Sequence, residues 1–208
     1  MIPIDTLGAF FIASVVLALA PGPDNIFVLT QSAMQGRPAG LLITIGLCTG
    51  LIVHTTAVTL GVAAIFEASE LAFTALKLIG AGYLIYLAYK AFRTGASNIG
   101  TGAEEPTKGW HLYRRGIFMN VTNPKVSIFF LSFLPQFTDP SLGPLPTQLI
   151  LLGLIFIMVT LIVFGGVAIT AGSLGEWLKR SPRAQRITNI FAGLVFIALA
   201  IRLATASR

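Results

Sequence analysis

The stretch Pro21-Gly22-Pro23-Asp24-Asn25 lies inside an apolar run and carries what such runs normally lack: two prolines, a glycine and a carboxylate. The prolines remove two backbone donors and Gly22 adds freedom between them, so a helix from about Thr6 to Ala20 has to stop and a second begin near Pro23. The two legs, Thr6 to Ala20 and Asp24 to Gln35, span roughly 22 and 18 Å at 1.5 Å per residue. The break therefore falls near mid-membrane. Irregular backbone at that depth is tolerated only where protein buries it or a polar cavity surrounds it. An ionisable group there marks a functional site by default, which makes Asp24 the leading residue of the chain.

The membrane reading rests on composition and on segment length. Of 208 residues, 55% are hydrophobic and 11% charged, against roughly 25% charged in an average soluble domain. Six apolar segments can be read: Thr6 to Gln35 with its break, Pro38 to Phe66, Leu71 to Phe92, Leu112 to Phe137 with a second break, Leu149 to Gly172, and Ile187 to Leu203. Each is long enough for a hydrocarbon core of about 30 Å. The expected fold is all-α and integral to the membrane. Ala18-Leu19-Ala20 resembles a signal-peptidase site, but the preceding residues carry Asp5 and no Lys or Arg, cleavage would fall before a proline, and five more spans follow. The first segment is expected to stay.

The net charge of +6 does not point to nucleic acid, because the basic residues are dispersed among short connections and form no stripe. Arg37, Lys90, Arg93, Lys108, Arg114, Arg115, Lys179, Arg180, Arg183 and Arg186 fall in or beside the first, third and fifth connections; the second and fourth have none. The positive-inside rule then predicts both termini outside, with Trp110 and Trp177 at the cytoplasmic boundary. Arg202 and Arg208 are the exceptions.

Residues 94–110 form the one long polar, Gly-containing stretch and read as a cytoplasmic linker. The linker separates residues 1–93 from 111–208, with three spans on each side, and the second set enters the membrane from the opposite face. This is the geometry of two inverted three-helix repeats. The first helix of each is broken by proline, at Gly22-Pro23-Asp24 and at Asn123-Pro124-Lys125. Gly22 and Asn123 suit the N-cap, and Pro23 and Pro124 the first helical position. Two half-helix N-termini near mid-membrane favour an anionic group such as a carboxylate. Proline kinks are common in transmembrane helices, but two at corresponding places in inverted halves favour a binding site. Its expected residues are Pro21, Gly22, Pro23, Asp24, Asn25, Asn123, Pro124 and Lys125, with Asp24 and Lys125 either pairing with each other or holding a zwitterion between them. Asp24 and His54, deep in the second span, are the residues that would couple to protons.

Other residues read more simply. Lys77 is expected to snorkel toward the outer surface near Glu70. Gly36-x-x-x-Gly40 and Gly46-x-x-x-Gly50 read as helix-packing surfaces, Tyr83, Tyr86 and Tyr89 as a packed stripe, and the lone Cys48 as packing. One cysteine allows no intramolecular disulfide. No His or carboxylate pair has metal-ligand spacing, and no phosphate-binding loop or triad is present, so neither an enzyme nor a cofactor or metal is expected. A membrane thiol reductase would need a second cysteine. A channel for small polar solutes is the remaining alternative to a transporter.

Several separated motifs resemble the LysE/RhtB family, in its homoserine and threonine exporter branch. They are Pro21-Gly22-Pro23-Asp24-Asn25, Gly36-Arg37-Pro38-Ala39-Gly40, Gly46 and Gly50 followed by His54, Leu76-Lys77-Leu78-Ile79-Gly80 leading into Tyr83-Leu84, Gly116, Asn123-Pro124-Lys125, and Phe133-Leu134-Pro135-Gln136-Phe137. The resemblance implies a secondary transporter of the bacterial inner membrane that exports amino acids or close derivatives, driven by the proton gradient. Its partners would be that substrate, protons and the bilayer, with assembly, a homodimer included, left open. The substrate itself is not fixed by it.

Overall fold

The computed structural model describes residues 2–20, 22–68, 70–93 and 108–205, and these contain helices and no strand. α1 (Ile4–Leu19) and α2 (Pro23–Gln35) are the two legs of the first broken segment, bent by 58°. Gly36, at φ 85°, turns the chain sharply from α2 into α3 (Arg37–Ala68), a conformation that excludes most side chains. α4 is Glu70–Arg93. After the linker, whose residues 94–107 lie outside the described residues, α5 (Gly109–Val121) meets α6 (Pro124–Ile128) at the second break. There the bend is 49°. α7 (Leu145–Arg180) and α8 (Pro182–Thr205) complete the chain.

The second break departs from the expected continuous half-helix. After α6 the backbone widens into a π-helical turn, Phe129–Phe133, and then tightens into a 3-10 turn, Leu134–Phe137. Pro135 explains the change, since it lacks the N–H that an α-helix would use and its ring would strike the carbonyl four residues earlier. The widened turn points Phe129, Phe130 and Phe133 into one buried cluster with Phe10, Phe137 and Phe156.

By length and apolarity, three helices among the described residues can each cross a membrane, α3, α7 and α8, and five segments can if each bent pair is one span. α4, which contains Lys77 and three tyrosines, falls short of that test. The outward surface agrees with a lipid environment: Ile52, Leu60, Leu154 and Ile162 are all exposed on the long helices. Tyr86 and Tyr89 also face outward, so the tyrosine stripe is not packed inside as expected; only Tyr83 is half-buried, its ring 5.8 Å from that of Tyr86. Cys48 is buried with its Sγ 3.9 Å from the Ile157 carbonyl. Trp110 is exposed and stacks on Tyr113, whereas the side chains of Trp177 and Glu70 lie outside the described residues.

α3 is the central element, packed against α5, α7 and α2, while α4 lies against α8 and both α1 and α2 lie against α7. The α3 and α5 backbones touch. A Cβ on Gly116 would stand 2.5 Å from the Ile43 carbonyl oxygen and 3.1 Å from Gly46 Cα, so only glycine permits this crossing. Gly50, one turn further along α3, leaves the space that the Asn120 side chain fills.

Candidate substrate site

The two breaks meet at the centre of the molecule. At the first, Gly22 is fully extended (φ −170°, ψ 176°), Pro23 opens α2, and Asp24 in its first turn is 3% exposed. At the second, the Asn123 side chain caps α6 by accepting from the Lys125 backbone N–H at 3.0 Å, Pro124 is the first helical residue, and the Lys125 side chain is 7% exposed. Asn123 thus caps as its residue type predicts. Pro21 lies outside the described residues.

A helix that stops inside protein leaves its last carbonyls without partners. Here side chains take them. Asn25 Nδ2 donates to the Ala18 carbonyl at 2.6 Å. Lys125 reaches across from the other break and donates its ammonium to the carbonyls of Leu17 at 3.1 Å and Ala20 at 3.0 Å. A cation at the C-terminal end of α1 also complements the helix dipole. Direct pairing of Asp24 with Lys125, one of the two expected arrangements, is not seen among the described residues: the ammonium is directed at the end of α1.

Asp24 is correspondingly under-satisfied. Its Oδ2 accepts a long 3.4 Å bond from Asn120 Nδ2, and its Oδ1 is buried with no partner among the described residues. Asn120 Oδ1, Asn123 Nδ2 and Thr160 Oγ1 are likewise buried and unpartnered. Such groups are rare in a folded protein and each calls for a reason. Asp24, Asn120, Lys125 and Thr160 are the polar lining of one cavity of about 20 Å³, closed by apolar side chains that include Leu17, Phe156 and Phe164. That is room for about one water.

His54 does not line the cavity but stands next to it. Its Nε2 lies 3.1 Å from the Asn120 carbonyl, and because a carbonyl can only accept, that nitrogen carries the proton. The ring also lies against Phe130, at 5.6 Å. Asn120 therefore touches His54 through its backbone and Asp24 through its side chain. Among the described residues no group of His, Cys, Asp and Glu is arranged to hold a metal ion.

Two lining residues, Asn120 and Thr160, were not singled out by their sequence context. Asn120 carried a signal, since an amide three residues before a proline-broken cap is costly in an apolar run. Thr160 carried none, because a lone threonine in a transmembrane helix ordinarily bonds its own backbone.

The model of the LysE type translocator family matches residues 15–207. The chain belongs to that family. The homoserine/homoserine lactone efflux protein of Salmonella typhimurium is 35% identical over 199 residues, covering 95% of each chain. An uncharacterized membrane protein of Vibrio cholerae is 33% identical over 198 residues, covering 95% of this chain and 96% of its own. No solved structure matches. This LysE-family chain is thus a membrane transport protein and not an enzyme.

Proposed function

We propose that this translocator is a secondary exporter of amino acids or close derivatives in the bacterial inner membrane, driven by protons, with its substrate site at the two helix breaks. The observation that carries the reading is that Asp24 and Lys125, one from each break and opposite in charge, are buried beside a single cavity. A zwitterion suits the free valences there. Its ammonium goes to Asp24 Oδ1, and its carboxylate to the Lys125 ammonium. The cavity is smaller than an amino acid, so loading requires the helices that line it to move apart and the Lys125 ammonium to turn from the Leu17 and Ala20 carbonyls to the substrate. A proton and a substrate ammonium compete for the same carboxylate, which couples their movements in opposite directions. His54 influences Asp24 through Asn120.

The architecture in this reading is six spans in two inverted three-helix repeats, residues 1–93 and 111–208, joined by the 94–110 linker on the cytoplasmic side. The packing supports it. α3 lies against α7 and α4 against α8, and the α3–α5 crossing exchanges with the packing of α7 on α1 and α2 when the halves are swapped. Export as the direction rests on the efflux named for the Salmonella relative.

Labelled homoserine and a panel of other labelled amino acids, loaded inside oriented vesicles, test the reading with and without an imposed proton gradient. Uphill, gradient-dependent movement is expected; movement only down the substrate's own gradient would mean a channel. Asp24→Asn and Lys125→Met, purified folded in detergent, should each bind no homoserine. Near wild-type affinity in either one removes the site.

A further inference from the structure

Thr160, on α7, departs from a habit that most helical Ser and Thr of the chain follow; Thr59 on α3 shares the departure among the described residues, but only Thr160 of the two lines the cavity. A helical Ser or Thr normally satisfies its hydroxyl on the carbonyl four residues back. Ser14, Ser32, Thr44, Thr55 and Thr170 all do so, on Phe10, Val28, Gly40, Leu51 and Gly166 at 2.6–2.9 Å. Thr160 leaves the corresponding bond unmade. It is 3% exposed, its Oγ1 has no partner among the described residues, and it lines the cavity that holds Asp24, Asn120 and Lys125. A buried hydroxyl without a partner calls for a reason, and at Thr160 the adjoining cavity supplies a place for one.

We propose that Thr160 is a specificity-determining residue, whose hydroxyl hydrogen-bonds a polar group on the side chain of the transported amino acid. The inference rests on the site reading above and extends it from the α-amino and α-carboxyl groups to the side chain. Charges from α2 and α6 take the two ends of a zwitterion, and α7 lines the same cavity with Phe156, Thr160 and Phe164. The Thr160 hydroxyl is the polar feature of that otherwise apolar contribution. A site built this way accepts a short side chain ending in a hydroxyl and rejects its methyl analogue, because the analogue leaves Thr160 buried and unpaired. A hydroxyl both donates and accepts, so the substrate group can be a donor or an acceptor.

The test compares labelled homoserine with labelled norvaline, which places a methyl where homoserine has its hydroxyl. Binding and export are measured on wild type, Thr160→Val and Thr160→Ser. Wild type should prefer homoserine by about tenfold or more. Thr160→Val keeps the shape of the side chain and should lose most of that preference, weakening homoserine while leaving norvaline unchanged or improved. Thr160→Ser should restore it. A structural role would lower both substrates together. The proposal is overturned if Thr160→Val keeps the wild-type preference or if wild type shows none. Asp24→Asn separates the two ideas: if it abolishes binding while Thr160→Val leaves selectivity intact, the site stands and the role of Thr160 falls; if Asp24→Asn binds normally, the site reading itself fails.

Discussion

Gly22→Ala isolates the tie between the two breaks. Alanine is compatible with the Gly22 backbone, since an extended φ of −170° is open to any residue. The added Cβ, however, would stand 3.1 Å from Lys125 Nζ and 3.5 Å from its Cε, and ordinary contact begins at 3.4 Å. Only the ammonium has to retreat, by about 0.3 Å or more. Its bonds to the Leu17 and Ala20 carbonyls start at 3.1 and 3.0 Å, so that retreat takes both close to the limit of hydrogen bonding. Hydrogen bonds to a charged group are worth about 1.5–3 kcal/mol each, so weakening two should cost about 1.5–3 kcal/mol in total. Methionine at 125 has the same stem without Nζ. In a Lys125→Met background the alanine meets only the 3.5 Å neighbour and should cost less than about 0.5 kcal/mol. Denaturant unfolding of the four proteins in detergent measures this double-mutant cycle. Gly8→Ala, whose Cβ meets nothing within 4 Å, controls for glycine replacement in the same region. An equal cost of Gly22→Ala in both backgrounds would show that the methyl does not act through Lys125, and would refute the reasoning.

Three further outcomes are expected. Gly116→Ala drives a methyl against the Ile43 carbonyl and should lower stability by about 1–3 kcal/mol or more, while Gly165→Ala, in open space, should sit near zero in the same thermal unfolding assay. His54→Gln keeps an N–H donor for the Asn120 carbonyl but removes the imidazole, so it should fold normally and, if His54 takes part in proton coupling as proposed, alter the pH response of uphill export; an unchanged pH profile takes His54 out of the mechanism. Single cysteines at Asn98 and Ser141 in a Cys48→Ser background should label from opposite sides with an impermeant thiol reagent, and labelling of Asn98 from outside would reverse the proposed orientation.

The positions of the two breaks were legible because proline and glycine act through local backbone chemistry that needs no partner. Pro23 and Pro124 open helices where the sequence puts them, and the residue after each, Asp24 and Lys125, reaches the same cavity. What Lys125 binds was not legible. Its partners are backbone carbonyls of Leu17 and Ala20, more than a hundred residues away, and every residue has a carbonyl whatever its type. The π turn at Phe129–Phe133 was equally hidden: Pro135 signals that an α-helix cannot continue, not which way the backbone will yield. Thr160 escaped because its meaning is a bond it does not make. The outward tyrosines show the same limit from another side, since their i, i+3, i+6 spacing defines a face of α4 but not what that face meets.

The glycine crossing of α3 and α5 has a mechanical consequence. Where main chain lies directly on main chain there are no rotamers to exchange, so Gly46 and Gly116 behave as a weld. The contact between the breaks is of the other kind, a four-carbon tether whose tip lets go of two carbonyls without disturbing its root. An exporter of the kind proposed would open its centre to one side at a time and so need a frame and a moving part. On that proposal the weld would keep α3 and α5 together, and the latch at Lys125 is the contact with α1 that would have to be released.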